Sequence, residues 1–214
     1  MKATTDEELL ADYLNRQVVR FELLVRRHSQ ELSHYLLRFT GSASAAEDVV
    51  QEALLQVHLS AASFDPKRRF KPWLFTIAAN KARDWLRSRA RRPVMPLDAQ
   101  VDAGDEEGQR FSEFLADKVE SPSDSLEKQE QRIRVRELVE AMPTHLREVL
   151  ILSYYHRFPY KDMAEILRIP LGTVKSRLHA AVGHFAQAYQ TVVKRDIKPE
   201  DAAGMGTGPT PRPM

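Results

Sequence analysis

The side chains best suited to chemistry in this chain lie in one run, Gly172-Thr173-Val174-Lys175-Ser176-Arg177-Leu178-His179. Lysine, serine and arginine within one helical turn donate hydrogen bonds to phosphate oxygens and base edges when a helix N-terminus enters the major groove. Helical spacing sends Val174 and Leu178 inward with Ile169, which leaves Thr173, Lys175, Ser176, Arg177 and His179 facing out. Ahead of the run stand Tyr160-Lys161-Asp162-Met163-Ala164-Glu165-Ile166-Leu167 and the turn Arg168-Ile169-Pro170, with Ala164 as the small residue that lets two helices cross closely. Helix, turn and helix in that order predict a DNA-binding helix-turn-helix. A helical hairpin with a solvated basic face would explain the charge, but not the small residue, turn and polar triad falling together.

A second constellation lies earlier. Between Asp65 and Arg92 there are ten basic residues against two acids. Phe64, Phe70 and Trp73 flank Lys67, Arg68, Arg69 and Lys71, and rings beside a cationic groove suit single-stranded DNA, whose bases stack while its phosphates are neutralised. On a helix expected from about Pro72 to Arg91, Leu74, Ile77, Ala78 and Trp85 form an apolar stripe. Thr76, Asn80, Arg83 and Arg87 share the other side. Trp85 reads as a core anchor. In the preceding helix Val50, Ala53, Leu54 and Val57 can bury while Asp48, Gln51 and Glu52 lie exposed, an acidic face that points to a protein partner.

These elements belong to an all-α chain. Thr5 and Glu8 form a capping box for a first helix. Phe21, Leu24, Val25, Leu32, Leu36 and Leu37 mark a second helix, which Gly41 ends. Ser44 and Glu47 open a third that runs to about Leu59. Pro143 starts a helix whose apolar side holds Leu146, Val149, Leu150 and Leu152. The expected organisation is a helical domain over 5–92, an acidic linker over 93–129, a second helical domain over 130–190 and a disordered tail over 191–214. The linker carries ten acids against two bases between Leu97 and Glu127, with a short helix expected at Phe111–Leu115. That charge is expected either to mimic nucleic acid or to serve as a plain tether.

Composition narrows the function classes. The formal net charge is only +2, but a polyanion feels charge within a Debye length of about 8 Å, so the segregation matters more than the sum. There is no cysteine, which excludes disulfides, thiolate nucleophiles and cysteine-ligated zinc. The seven histidines show no ligand-type pairing, and no phosphate loop or nucleophile elbow appears, so no metal, cofactor or catalytic site is expected. No run reaches the ~18 apolar residues of a membrane span, and the acidic N-terminus is unlike a secretory signal; a cytoplasmic protein is expected.

The runs Ala46–Leu54, Trp73-Leu74-Phe75-Thr76-Ile77-Ala78-Ala79-Asn80 with Asp84 and Arg87, and Gly172–Leu178 together resemble the extracytoplasmic-function sigma factors. The resemblance covers about residues 8–92 and 130–188. It implies an initiation subunit, not an enzyme, that binds core RNA polymerase and promoter DNA, with an anti-sigma factor as a further partner. It implies that Asp48, Gln51 and Glu52 meet the polymerase, that the Phe64–Lys71 loop and Asn80 capture bases of the melted −10 element, and that Lys175, Ser176 and His179 face the −35 element. The chain departs from the family at Asn15-Arg16 in place of Gly-Asp, at Arg168 in place of a frequent glycine, and at Ala180, Ala181 and Val182, where basic residues often stand. The competing readings are a stand-alone helix-turn-helix regulator and a nucleic-acid-processing enzyme, the second lacking any carboxylate-plus-metal or nucleophile constellation.

Overall fold

The computed structural model describes residues 4–91 and 126–196, helical throughout with no strand among them. The acidic linker, the helix expected at Phe111–Leu115 and the Gly/Pro-rich tail lie outside the described residues. In the N-terminal half, α1 (Asp6–Leu14), α2 (Val18–Thr40), α3 (Ala43–Ser60) and α4 (Phe70–Arg91) form a bundle. In the C-terminal half come α5 (Leu126–Glu140), α6 (Thr144–Leu150), α7 (Tyr160–Leu167) and α8 (Leu171–Asp196).

Local signals set most helix ends. The Thr5 hydroxyl accepts from the Glu8 N–H at 3.2 Å, and the Glu8 carboxylate accepts from the Thr5 N–H at 2.8 Å, so two orphan donors of the first turn are satisfied reciprocally. Gly41 closes α2 at φ 72°, donating its N–H to the Leu37 carbonyl at 2.9 Å. The cap of α3 is Ser42, not Ser44: its hydroxyl accepts from the Ala45 N–H, and Ser44 sits one residue inside the helix. The extended backbone of Ser42 directly after Gly41 wins over the Ser-x-x-Glu spacing. The fourth helix starts two residues before Pro72, and the Phe70 N–H at its first turn donates to the Glu7 carboxylate at 2.8 Å. A side chain 63 residues away thus caps α4, which no local pattern could announce.

One continuous core joins the two halves. Leu9, Leu10, Leu24, Leu32, Leu36, Val49, Ala53 and Leu74 fill the first bundle, and Val149, Ile151, Leu152, Met163, Ile166 and Val174 fill the second. Helix α6 runs into a π-helical turn, Ile151–Tyr155, and π turns in proteins tend to sit at functional places. Beyond it Arg157 takes a left-handed φ of 51°. The widened turn aims His156 and Phe158 at the first bundle. Phe158 meets Phe75 edge to face at 4.8 Å, and His156 meets Tyr35 at 5.7 Å. Arg38 lies over the Tyr155 ring at 4.3 Å. Helix α7 lies along α4.

Candidate nucleic-acid interface

The recognition helix begins at Leu171, one residue before the run Gly172–His179, and extends to Asp196. Val174 is fully buried, while Ile169 and Leu178 pack partly against the core. Lys175, Ser176 and His179 are exposed on one face, and a Cβ placed on Gly172 would meet nothing within 4 Å, so the face is open to its first turn. The Ser176 hydroxyl donates its proton to the Thr173 carbonyl at 3.1 Å, which leaves its oxygen able to accept. Thr173 and Arg177 are only half-exposed. Arg177 lies close enough to Glu148 to influence that carboxyl, so it flanks the open face. The turn before the helix carries Arg168 at φ 53°, ψ 45°, a left-handed conformation that favours glycine.

The other constellation looks different in three dimensions. Lys67, Arg68 and Arg69 are exposed in the loop, Phe64 and Trp73 are partly buried, and Phe70 is almost wholly in the core. Phe64, Phe70 and Trp73 pack on one another at 4.8–6.2 Å between centroids, and Phe70 also meets His28 at 5.5 Å. Phe70 therefore offers no face for a base, and Phe64 and Trp73 are the two rings of the three that stay partly open to solvent. Thr76, expected on the polar side of α4, is buried and donates its hydroxyl to the Pro72 carbonyl at 2.8 Å. Asn80 and Arg83 are half-buried and Arg87 is exposed. The reason is a second layer. Helix α4 has α2 and α3 on one side and α7 on another, and one-helix amphipathicity cannot foresee a cover supplied by a distant part of the chain.

That cover is acidic where the helix is basic. Arg68 pairs with Glu165 and Arg69 with the buried Asp162, both on α7. Arg83 Nε lies 2.9 Å from the buried Glu148 Oε1 on α6. Burial pushes the Glu148 carboxyl above its ordinary value, against the opposing pull of Arg83, Arg177 and Arg147. The same burial, reinforced by Glu148 and opposed by Arg83, drives the Tyr35 hydroxyl well above its usual range. Lys71 Nζ sits 2.7 Å from Glu31, which His156 also approaches at 3.4 Å. Burial alone would raise the Glu31 carboxyl, but hydrogen bonds and charge from His156 and Lys71 outweigh it and lower the pKa to about 2. Arg87 pairs within its own helix with Asp84 at 2.9 Å.

On α3, Asp48, Gln51 and Glu52 are all exposed, as the pattern predicts. The same face continues through Leu55 and Leu59, 58% and 68% exposed. The Tyr13 hydroxyl lies 2.6 Å from His58 Nδ1, and the Phe21 ring of α2 lies 5.8 Å from His58, so α1 and α2 both reach this end of α3. Sequence reasoning missed Leu55 and Leu59, although apolar residues continuing the 48–51–52 spacing on a solvent face were the available signal. An acidic stripe ending in exposed apolar residues is the pattern of a protein-docking surface. No group of three or more histidine, aspartate or glutamate side chains could hold a metal among the described residues.

Comparison with known proteins decides the family. Sigma-70 region 2 matches residues 24–92, and Sigma-70, region 4 matches residues 132–185. The ECF RNA polymerase sigma factor SigW of Bacillus subtilis is 34% identical over 159 residues, covering 74% of this chain and 83% of that protein. The chain belongs to the extracytoplasmic-function sigma factors. It is accordingly a transcription initiation factor and not an enzyme, giving RNA polymerase its promoter specificity through two DNA-binding regions. Among solved structures, CnrH in complex with the cytosolic domain of CnrY matches with a TM-score of 0.63 at 22% identity, covering 87% of this chain and 97% of that one. The sigma factor RpoE of Bartonella quintana, in complex with the anti-sigma factor NepR, matches at 0.57 and 23%, covering 79% and 96%. Both likenesses carry the fold. No helix among the described residues is long and apolar enough to cross a membrane.

Proposed function

We propose that this sigma factor reads the −35 element with Lys175, Ser176 and His179, and captures the melted −10 strand with Arg68, Arg69, Lys71, Phe64, Trp73 and Asn80. The open face at the start of α8 carries the first assignment, since these side chains point outward within the first turns after a helix-turn-helix corner. Thr173 and Arg177, half-buried at its margins, are placed to steady the backbone instead of reading bases. Asn80 is the amide on the basic helix, and an amide discriminates base edges where arginine and lysine mainly neutralise phosphate. Lys67, Arg83 and Arg87 add sequence-independent attraction.

The acidic and apolar face of α3, Asp48 through Leu59, docks on core polymerase, and Asp48 and Glu52 steer that encounter. An anti-sigma factor is a second partner, in keeping with the NepR complex of the Bartonella relative. The domains extend over 5–92 and 130–190 with the acidic linker between them, and the protein works in the cytoplasm where polymerase and DNA meet.

Selection of promoter fragments by holoenzyme tests the reading. Lys175→Ala should lose about 1–3 kcal/mol at one −35 position, on the order of 10- to 100-fold in preference, with −10 choice intact. Asn80→Ala should relax the −10 preference alone. Uniform loss at every position for both variants would mean that neither reads bases.

A further inference from the structure

Helix α4 begins against the preference of its own sequence. Lys67, Arg68 and Arg69 lead into it, and its first turn holds Lys71 and no acid. Cations there oppose the partial positive charge of the free N–H groups at a helix start. Arg69, the residue before the helix, has a side chain with donors only and cannot cap them. Asp65, the one acid between Phe64 and Lys71, already accepts from the Lys67 N–H at 2.9 Å. A loop that must present cations to a strand therefore does not close its own helix, and the acceptor comes from α1.

Two neighbouring acids in the first turn of α1 converge on Phe70, the first residue of α4. Glu7 accepts from the Phe70 N–H at 2.8 Å. Asp6 lies 2.7 Å from Nε2 of the buried His28, whose ring packs on the Phe70 ring at 5.5 Å between centroids. The other oxygen of Asp6 holds Arg27 at 2.9 Å. Buried Leu9 and Leu10 and the Thr5–Glu8 capping box fix α1 itself. Phe70 in turn packs against Phe64 and Trp73, the two partly open rings. Its backbone and its ring are thus both set from α1, and the loop cations end where it begins.

We propose that Glu7 is a positioning residue for −10 strand capture: it holds the Phe70 N–H so that Arg68, Arg69 and the Phe64–Trp73 ring pair stand preordered for the strand. The proposal rests on the −10 assignment above. A loop held in its bound form loses little conformational freedom on binding, which raises affinity without any new contact. The charge of Glu7 works the other way. Glu7 lines one cavity with Arg69 and Lys71, where a carboxylate weakens the pull of those cations on phosphate. Its contribution to capture is therefore the hydrogen bond, and a neutral acceptor of the same length can replace it.

The test uses holoenzyme and the promoter fragments it selects, with the −10 segment pre-melted so that capture is read apart from melting. Glu7→Ala should lower affinity about fivefold, the usual effect of a lost cap, with −35 preference unchanged. Glu7→Gln, whose amide oxygen still accepts, should restore affinity to within about twofold. Hydrogen exchange at the Phe70 amide of the full-length free chain should quicken about fivefold in the alanine variant and little in the glutamine one. If Glu7 only stabilises α1 by its charge at that helix's start, the glutamine variant loses as much as the alanine variant, and the proposal fails. Faster exchange with undiminished capture also overturns it when Arg69→Ala weakens binding of the same fragments. Should Arg69→Ala, too, leave capture intact, it is the −10 assignment that falls, and the proposal with it.

Discussion

The two DNA-binding surfaces of this chain differ in how much of each its own sequence neighbourhood builds. The recognition face of α8 is local: a turn, a small residue and one buried valine leave Lys175, Ser176 and His179 in solvent. The surface proposed for the −10 strand, on α4 and its loop, is assembled from distant parts, with Glu7 capping the helix, α7 covering it and acids from α6 and α7 filling its cations. Periodicity suffices to describe a surface made by one helix and a turn. A surface made by contact between domains carries its cover in residues that no short window contains.

The largest way to break this contrast is to remove the cover. Phe75 is fully buried between Tyr35, at 5.3 Å, and Phe158, at 4.8 Å, so one ring serves both halves. Phe75→Ala should cost about 3–5 kcal/mol, the range for deleting a buried aromatic. Denaturant unfolding followed separately at the two tryptophans and at a dye on α8 should show both halves destabilised. A loss confined to the tryptophan signal would mean that the halves do not share a core.

Legibility followed the same division. Thr5 with Glu8, Gly41, Pro143 and the corner Arg168-Ile169-Pro170 act within a few residues of themselves, and each stands at a helix end the sequence predicts. Phe70 and Thr76 were expected on accessible surfaces and are buried, because a bulky apolar ring or a hydroxyl able to bond its own helix can be absorbed by a neighbouring layer. Arg83 was expected to face DNA and faces Glu148. The helix-turn-helix pattern gives Asp162 and Glu165 no role; only the fold puts them opposite Arg69 and Arg68. Charge segregation was legible, but not the internal partner of each charge.

A smaller effect sharpens the contrast through pH. Glu31 bridges Lys71 and His156 at the edge of the cover, and its folded pKa of about 2 lies below the ordinary 4.5. A depressed carboxylate contributes stability that is complete above its ordinary value and is lost as pH falls toward 2. With its side chain 32% exposed, solvent screening reduces this to roughly 1–2 kcal/mol. Unfolding free energy should therefore decline between pH 4.5 and 2 more steeply in the wild type than in Glu31→Gln. Parallel curves would show that the bridge contributes nothing to stability.

The smallest expected effect lies on the open side, at Arg168. Its φ of 53° and ψ of 45° put an arginine where Cβ crowds the backbone, at a cost of about 1 kcal/mol relative to glycine. The conformation persists because the turn is over-determined: the Arg168 N–H donates to Glu165 and the Ile169 N–H to Ala164 at 3.1 Å, and Ile169 packs on the core. Glycine also gains entropy in the unfolded chain, which offsets part of that relief. Arg168→Gly should thus stabilise the folded protein by no more than about 1 kcal/mol, raising the melting temperature by a few degrees. Arg168 pairs with no acid among the described residues, so −35 selectivity should stay unchanged while stability rises. A loss of −35 affinity with a shallower salt slope would show instead that Arg168 contacts phosphate, and that the strain is retained for binding.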